Sequence, residues 1–240
     1  MISAATANFV IALASLIFVY LVSITCIGFL QAFVAAHFGD ESAVEAGYLS
    51  GNPTVYSDTF GFMSLLIFGF GWSRTFPFQP HLLSDPFKKT KVLFVYLVQP
   101  IVACALAIGA VVTSVALIGP HALPIVYHYT AMHTVFRSLN MQALTEMCGA
   151  SSGLLLLLVV MISAATINIF LAAWSLVSSL WDHAVYMASI RHYSWMPQTE
   201  WAMILAPLCL FMFLFPAVHF CMLNLIIKAA YFILESIKIL

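Results

Sequence analysis

Charge is what this sequence has least of: Asp, Glu, Lys and Arg together make up 7% of its 240 residues, where soluble domains carry roughly a quarter. That scarcity excludes a free-standing soluble fold. The few charges nearly cancel, with a formal net charge of −1, so there is no basic patch to attract nucleic acid and no acidic tail. Paired cysteines are missing too. Cys26, Cys104, Cys148, Cys209 and Cys221 are scattered, mostly within apolar runs, and none forms a CxxC pair, which reads as core filling rather than a disulfide or metal framework. No Gly-rich phosphate loop, no GxSxG and no cysteine with a histidine at motif spacing is present. The spans hold no charged pairs at their midplane and no internal repeat is visible, which ranks a small transporter last among the functional classes.

What fills the space is apolar: 63% of residues are hydrophobic and the mean hydropathy is +1.05. Runs at about residues 8–36, 91–118 and 152–181 are long enough to cross about 30 Å of hydrocarbon. The first lacks a preceding charge and is far longer than a signal-peptide core, so it reads as a retained membrane helix. "FGFMSLLIFGFGW", Phe60 to Trp72, is too short to cross unaided and reads as a re-entrant or partly buried segment. Trp201 to Leu240 is mostly apolar but carries Pro207 and Pro216, which predicts either a broken helix or a tight helical hairpin. The expectation is an all-α polytopic membrane protein, residues 1–240 as one domain without a soluble module, with about five to six membrane segments and one short extended re-entrant piece.

Arg74, Lys88, Lys89 and Lys91 precede the span near residue 91 and mark that end as cytoplasmic or matrix-facing. Counting forward places the loop 119–150 outside and returns Asp182 and His183 to the side of residues 27–31. Other intramembrane polar candidates are few. Asn168 is one, and Lys228, Glu235 and Lys238 lie near the chain end, where snorkelling explains them. Glu235 and Lys238 also suit an ordinary i, i+3 pair.

Several local patterns recur in order along the chain: "AFVAAHFGD" (Ala32 to Asp40), "AGYLSGNPTVYSDTFG" (Ala46 to Gly61), "FGWSRTFPFQP" (Phe70 to Pro80), "DPFKK" (Asp85 to Lys89) and "VQPIVA" (Val98 to Ala103). Gly47, Gly51, Asn52 and Pro53 are turn chemistry. Pro77 and Pro80 alternate with aromatic residues in a stretch suited to an extended edge that cannot join a regular sheet centre. Taken together the patterns resemble the site-2 protease family of intramembrane zinc metalloproteases, in its short form. The resemblance implies that the extended segment lies beside an active site and can pair with substrate backbone, making Trp72, Phe76, Pro77, Phe78 and Pro80 candidates for helix or partner binding. A loop that merely plugs the bundle is the alternative.

A zinc protease needs two histidines one helical turn apart and a glutamate beside the first. The resemblance places that HExxH at Ile27, Gly28, Phe29, Leu30 and Gln31, where both imidazoles and the acid are missing. Tyr56 stands at a histidine position of the family's "HIDP" turn, while Asp58 remains. The third ligand of the family, an aspartate, corresponds to Asp182 at the end of "WSLVSSLWDH", without that loop's asparagine or prolines and with His183 in place of glycine. None of His37, His81, His121, His128, His133, His183, His192 and His219 forms an i, i+4 pair. His37 with Asp182 and His183 is the one conceivable cluster on the same side.

The resemblance therefore implies a catalytically dead relative with no cofactor and no bound metal, whose degenerate positions are Ile27, Gly28, Gln31 and Asp182. Its partners would be the lipid bilayer and other membrane subunits or transmembrane helices, in a bacterial inner membrane or a mitochondrial or other organellar inner membrane. The alternative is an active protease with rearranged ligands.

Overall fold

The computed structural model describes residues 4–83, 86–131, 144–146, 151–190 and 200–237. The architecture is helical. Helix α1 spans Ala4–His37, followed by the short α2 (Ser42–Glu45) and α3 (Pro53–Tyr56), then α4 (Thr59–Phe68), α5 (Lys88–Ile118), α6 (Ala122–Ala131), α7 (Ser152–Ile190) and α8 (Glu200–Ser236). Four stretches, Thr6–His37, Lys88–Ile118, Gly153–Ala188 and Pro216–Ser236, are long and apolar enough to cross a membrane. The chain is an all-α integral membrane protein. His133 and His192 lie outside the described residues, as do Cys148 and Lys238.

Short-range chemistry sets the ends of these helices. The Asn52 side chain accepts from Thr54 N at the start of α3, and the Asp58 carboxylate accepts from Gly61 N at 2.7 Å at the start of α4, each meeting a backbone donor that has no partner inside its helix. Gly69 ends α4 in the left-handed region at φ 84°, where a β-carbon would be costly. Helix α4 has ten residues, about 15 Å at the usual rise. That is half a bilayer core, and the rest of the Phe60 to Trp72 run continues as extended chain.

That extended chain, 70–79, runs back along α3 and α4. A single antiparallel bridge joins Ser57 to Ser73, and Arg74 N donates to Tyr56 O at 2.8 Å. The approach to α4 is backbone on backbone, because a β-carbon on Gly61 would lie 2.1 Å from the Trp72 carbonyl oxygen. At the far end, the buried Asp40 carboxylate accepts from Ser42 N at 3.0 Å, from the Ser42 hydroxyl, and from Gln79 N at 2.7 Å. The exit of α1 is thereby tied to the end of the extended segment.

Helices α5 and α7 form the centre. Ala103, Ala107, Ala110 and Ser114 of α5 are buried at intervals of three and four, as are Ile162, Ala165, Ile169 and Ala173 of α7. Small residues at that spacing let two backbones come close, which is how helices gain contact inside lipid, where apolar surface alone provides no driving force. Ser179 of α7 reaches Tyr96 of α5, Leu171 shares a cluster with Ala103, and Ile162 shares one with Ala110, so the two helices run antiparallel.

Two outcomes differ from the reading by pattern. The final apolar stretch is neither broken nor a hairpin: α8 runs through Pro207 and Pro216 without interruption, since in a bundle inside lipid neighbouring groups can meet the carbonyl that each proline frees. Helix α7 also continues past residue 181 to Ile190, so Asp182 and His183 lie within a helix and not at its terminal corner. No proline or glycine stands between Leu154 and Ile190 to stop it.

Candidate functional site

Ile27, Gly28 and Gln31 all lie on the inward side of α1 and are buried. Ile27 packs in the cluster formed with Tyr48, Tyr56, Leu171 and Ala172. Gly28 is where the chain permits no side chain at all: a β-carbon there would stand 2.3 Å from Cδ1 and 2.7 Å from Cε1 of Tyr56. The Tyr56 ring occupies the space in front of Gly28. That ring is 1% exposed and meets Tyr48 edge-on, with centroids 5.1 Å apart at 81°, while its hydroxyl donates to the Tyr48 carbonyl. Tyr48 in turn meets Phe76 edge-on at 5.4 Å. Burial pushes the Tyr56 phenol above its ordinary range and does the same at Tyr48, where Arg74 acts in the opposite direction.

Gln31 has a different occupation, which follows from a proline on another helix. Pro100 lies inside α5 and has no N–H, so the carbonyl four residues earlier, that of Tyr96, loses its partner in the helix. Ser179 Oγ of α7 donates to that carbonyl at 2.7 Å, and Gln31 Nε2 of α1 donates to the adjacent Val95 carbonyl at 3.2 Å. Two neighbouring helices thus meet the irregularity. A third polar bridge, Asn168 Nδ2 to Ser23 Oγ at 2.9 Å, links α7 to α1 two turns deeper.

These bonds bring the end of α1, the start of α5 and residues 179–182 of α7 to one end of the bundle. Asp182 is exposed there. His37 is exposed at the end of α1, and among the described residues no three His, Cys, Asp or Glu side chains gather in a way that could hold a metal ion. Zinc takes imidazole nitrogen, thiolate or carboxylate. The side chains at 27, 28 and 31 offer a hydrocarbon, a hydrogen and a neutral amide whose nitrogen is engaged and whose oxygen, Gln31 Oε1, is buried without a partner. This donor set does not fit zinc.

The proposed partner-binding residues lie along the extended segment, all half-buried. Trp72 is held by α1 and α7: its carbonyl accepts from the Tyr20 hydroxyl at 2.7 Å and its ring lies 5.8 Å from that of Trp174. Phe76 packs on Tyr48, Phe78 meets Tyr96 edge-on at 5.2 Å, Pro77 lies between them, and Pro80 opens a single 3₁₀ turn, Pro80–Leu82. The backbone groups of Phe76 and Phe78 make no hydrogen bond among the described residues. Motif reading assigned no role to Asp40, Tyr20, Tyr48, Tyr96 or Ser179. Asp40 carried a signal, an acid next to a glycine at a helix exit. The others did not, since their roles depend on partners 27 to 83 residues away in sequence.

A 71-residue stretch, 30% of this chain, is 37% identical to the Bacillus subtilis (strain 168) protein named "Putative zinc metalloprotease YwhC", and it covers 32% of that protein's length. No family model matches the chain, and no solved structure matches it.

Proposed function

We propose that this chain is a non-cleaving relative of intramembrane zinc metalloproteases, which binds transmembrane helices of other membrane proteins as an accessory subunit or holder. The observation that carries this reading is the Tyr56 ring against Gly28. In the resemblance described above, position 28 is where the general base would stand and position 56 is a histidine, so one large and one small residue have exchanged volume across the former site. A side chain at 28 and the ring at 56 cannot coexist. Gln31, the second lost histidine position, is committed to Val95. Ancestry is supported by the stretch shared with a protein named as a zinc metalloprotease.

What survives is a shaped end of the bundle with one backbone edge. On this reading α4 and the extended segment form a re-entrant piece within a single membrane domain of residues 1–240, in a bacterial inner membrane or an organellar inner membrane. Tyr56, Tyr48 and Asp40 engage the segment at Arg74, Thr75 and Gln79, while the backbone groups of Phe76 and Phe78 make no hydrogen bond among the described residues and are left for an incoming chain, as where extended peptides add to an edge. The test is metal analysis of the purified full chain together with incubation against a transmembrane-helix substrate. Far less than one zinc per chain and no cleavage are expected. Stoichiometric zinc, with cleavage that stops on Asp182→Ala, would instead establish an active protease with rearranged ligands.

A further inference from the structure

Asp182, His183 and Tyr186 follow Ser179 by three, four and seven residues along α7, so the four share one face. The direction of that face is set by its first member, whose hydroxyl reaches the Tyr96 carbonyl of α5. Because α5 and α7 are antiparallel, one turn forward from Ser179 is one turn back from Tyr96, toward Lys91. Asp182 therefore stands at the lysine-marked end of the bundle, about one turn beyond the contact with Tyr96, and Tyr186 follows it by one more turn on the same face. The Tyr96 ring meets that of Phe78 in the extended segment edge-on, with centroids 5.2 Å apart. His183 and Tyr186 are adjacent, with ring centroids 6.3 Å apart. Asp182 is exposed, and no ion pair engages it among the described residues.

We infer that Asp182, with Tyr186 one turn further along α7 and the Tyr96–Phe78 ring pair about one turn back, is a docking point for a lysine or arginine at the end of a partner's transmembrane helix. The inference rests on the helix-binding function proposed above and names the chemistry of the partner. A carboxylate beside aromatic rings suits a cation, since the rings add their own attraction to the charge. Its depth also matches: membrane helices concentrate Lys and Arg at the cytoplasmic or matrix end, the end that Lys88, Lys89 and Lys91 mark here. A helix lying along the Phe76 and Phe78 edge would bring its terminal basic residue to this level. A phospholipid amine is the competing cation at that depth, but it arrives tethered to a phosphate whose negative charge would stand next to the carboxylate. A basic side chain brings no such anion.

The experiment uses the full chain in phosphatidylcholine nanodiscs and a synthetic Leu/Ala helix of about 20 residues ending in two lysines, against the same helix ending in two glutamines, with binding read by energy transfer. The lysine helix is expected to bind about tenfold more tightly. Asp182→Asn removes that preference without changing the affinity for the glutamine helix, and Asp182→Glu retains it. Equal binding of both helices to the native chain, or a preference that survives Asp182→Asn, overturns the carboxylate's role while leaving the helix-binding function standing. Loss of the preference when phosphatidylethanolamine is added assigns the site to lipid amine and also overturns it. Failure of either helix to bind at all overturns both. Asp182 is exposed, so Asp182→Asn keeps the fold, and an unchanged melting temperature checks this.

Discussion

Replacing Gly28 by alanine tests the closed site directly, because two opposing effects have different signs. Within a helix, glycine to alanine ordinarily stabilises by about 1 kcal/mol. Here the added methyl would lie 2.3 Å from Tyr56 Cδ1, whereas carbon atoms rest about 3.5–4.0 Å apart. The ring would have to retreat by more than about 1 Å. It is poorly placed to do so: it is 1% exposed, braced edge-on by Tyr48 and tied by its hydroxyl to the Tyr48 carbonyl. Overpacking of this kind costs about 1–3 kcal/mol, enough to outweigh the helical gain. Gly28→Ala should therefore lower the thermal midpoint of the detergent-solubilised chain. Tyr56→Ala alone should also lower it, by opening a cavity. In the Tyr56→Ala background, however, Gly28→Ala should become neutral or stabilising, giving a coupling of about 1 kcal/mol or more between the two sites. A stabilising Gly28→Ala in the native background, or effects that add within about 0.5 kcal/mol, would refute the idea that Tyr56 fills the space at position 28.

Other consequences can be measured in the same preparation. Ser179→Ala should destabilise by about 1 kcal/mol by orphaning the Tyr96 carbonyl, and the loss should largely vanish in a Pro100→Ala background, where the helix supplies its own N–H to that carbonyl. Asp40→Ala removes the acceptor of Ser42 N and Gln79 N and should cost about 1–3 kcal/mol, with faster amide hydrogen exchange at Gln79 as its local sign; unchanged exchange there would discount the tie. Alkaline titration should weaken the fold in one direction only. Burial raises the Tyr48 and Tyr56 phenols, so the folded chain retains protons that the unfolded chain releases. Stability is then complete below the ordinary phenol range near about pH 10 and declines as pH rises through it. Tyr56→Phe should flatten that decline.

How much of this was legible beforehand depends on the range over which each interaction acts. The long apolar runs were, because the bilayer imposes its requirement on each segment separately: about 20 apolar residues must satisfy their own backbone whatever surrounds them. Turn chemistry around Asn52 and Asp58 was legible for the same reason, each cap closing within three residues. The continuity of α7 through Asp182 was hidden by comparison with a loop whose prolines this chain lacks. That α8 would pass straight through Pro207 and Pro216 could not be read either, since a proline's cost in a helix depends on what stands beside the freed carbonyl.

The amino-acid sequence by itself determined that this protein lives in a membrane as helices, and that positions 27, 28 and 31 carry no imidazole or acid. Tertiary structure alone decided what those positions do instead. Gly28 and Tyr56 are 28 residues apart, Gln31 and Val95 are 64 apart, and Ser179 and Tyr96 are 83 apart. Shape fit and hydrogen-bond satisfaction act over a few ångströms in space, so only folding brings such partners within range.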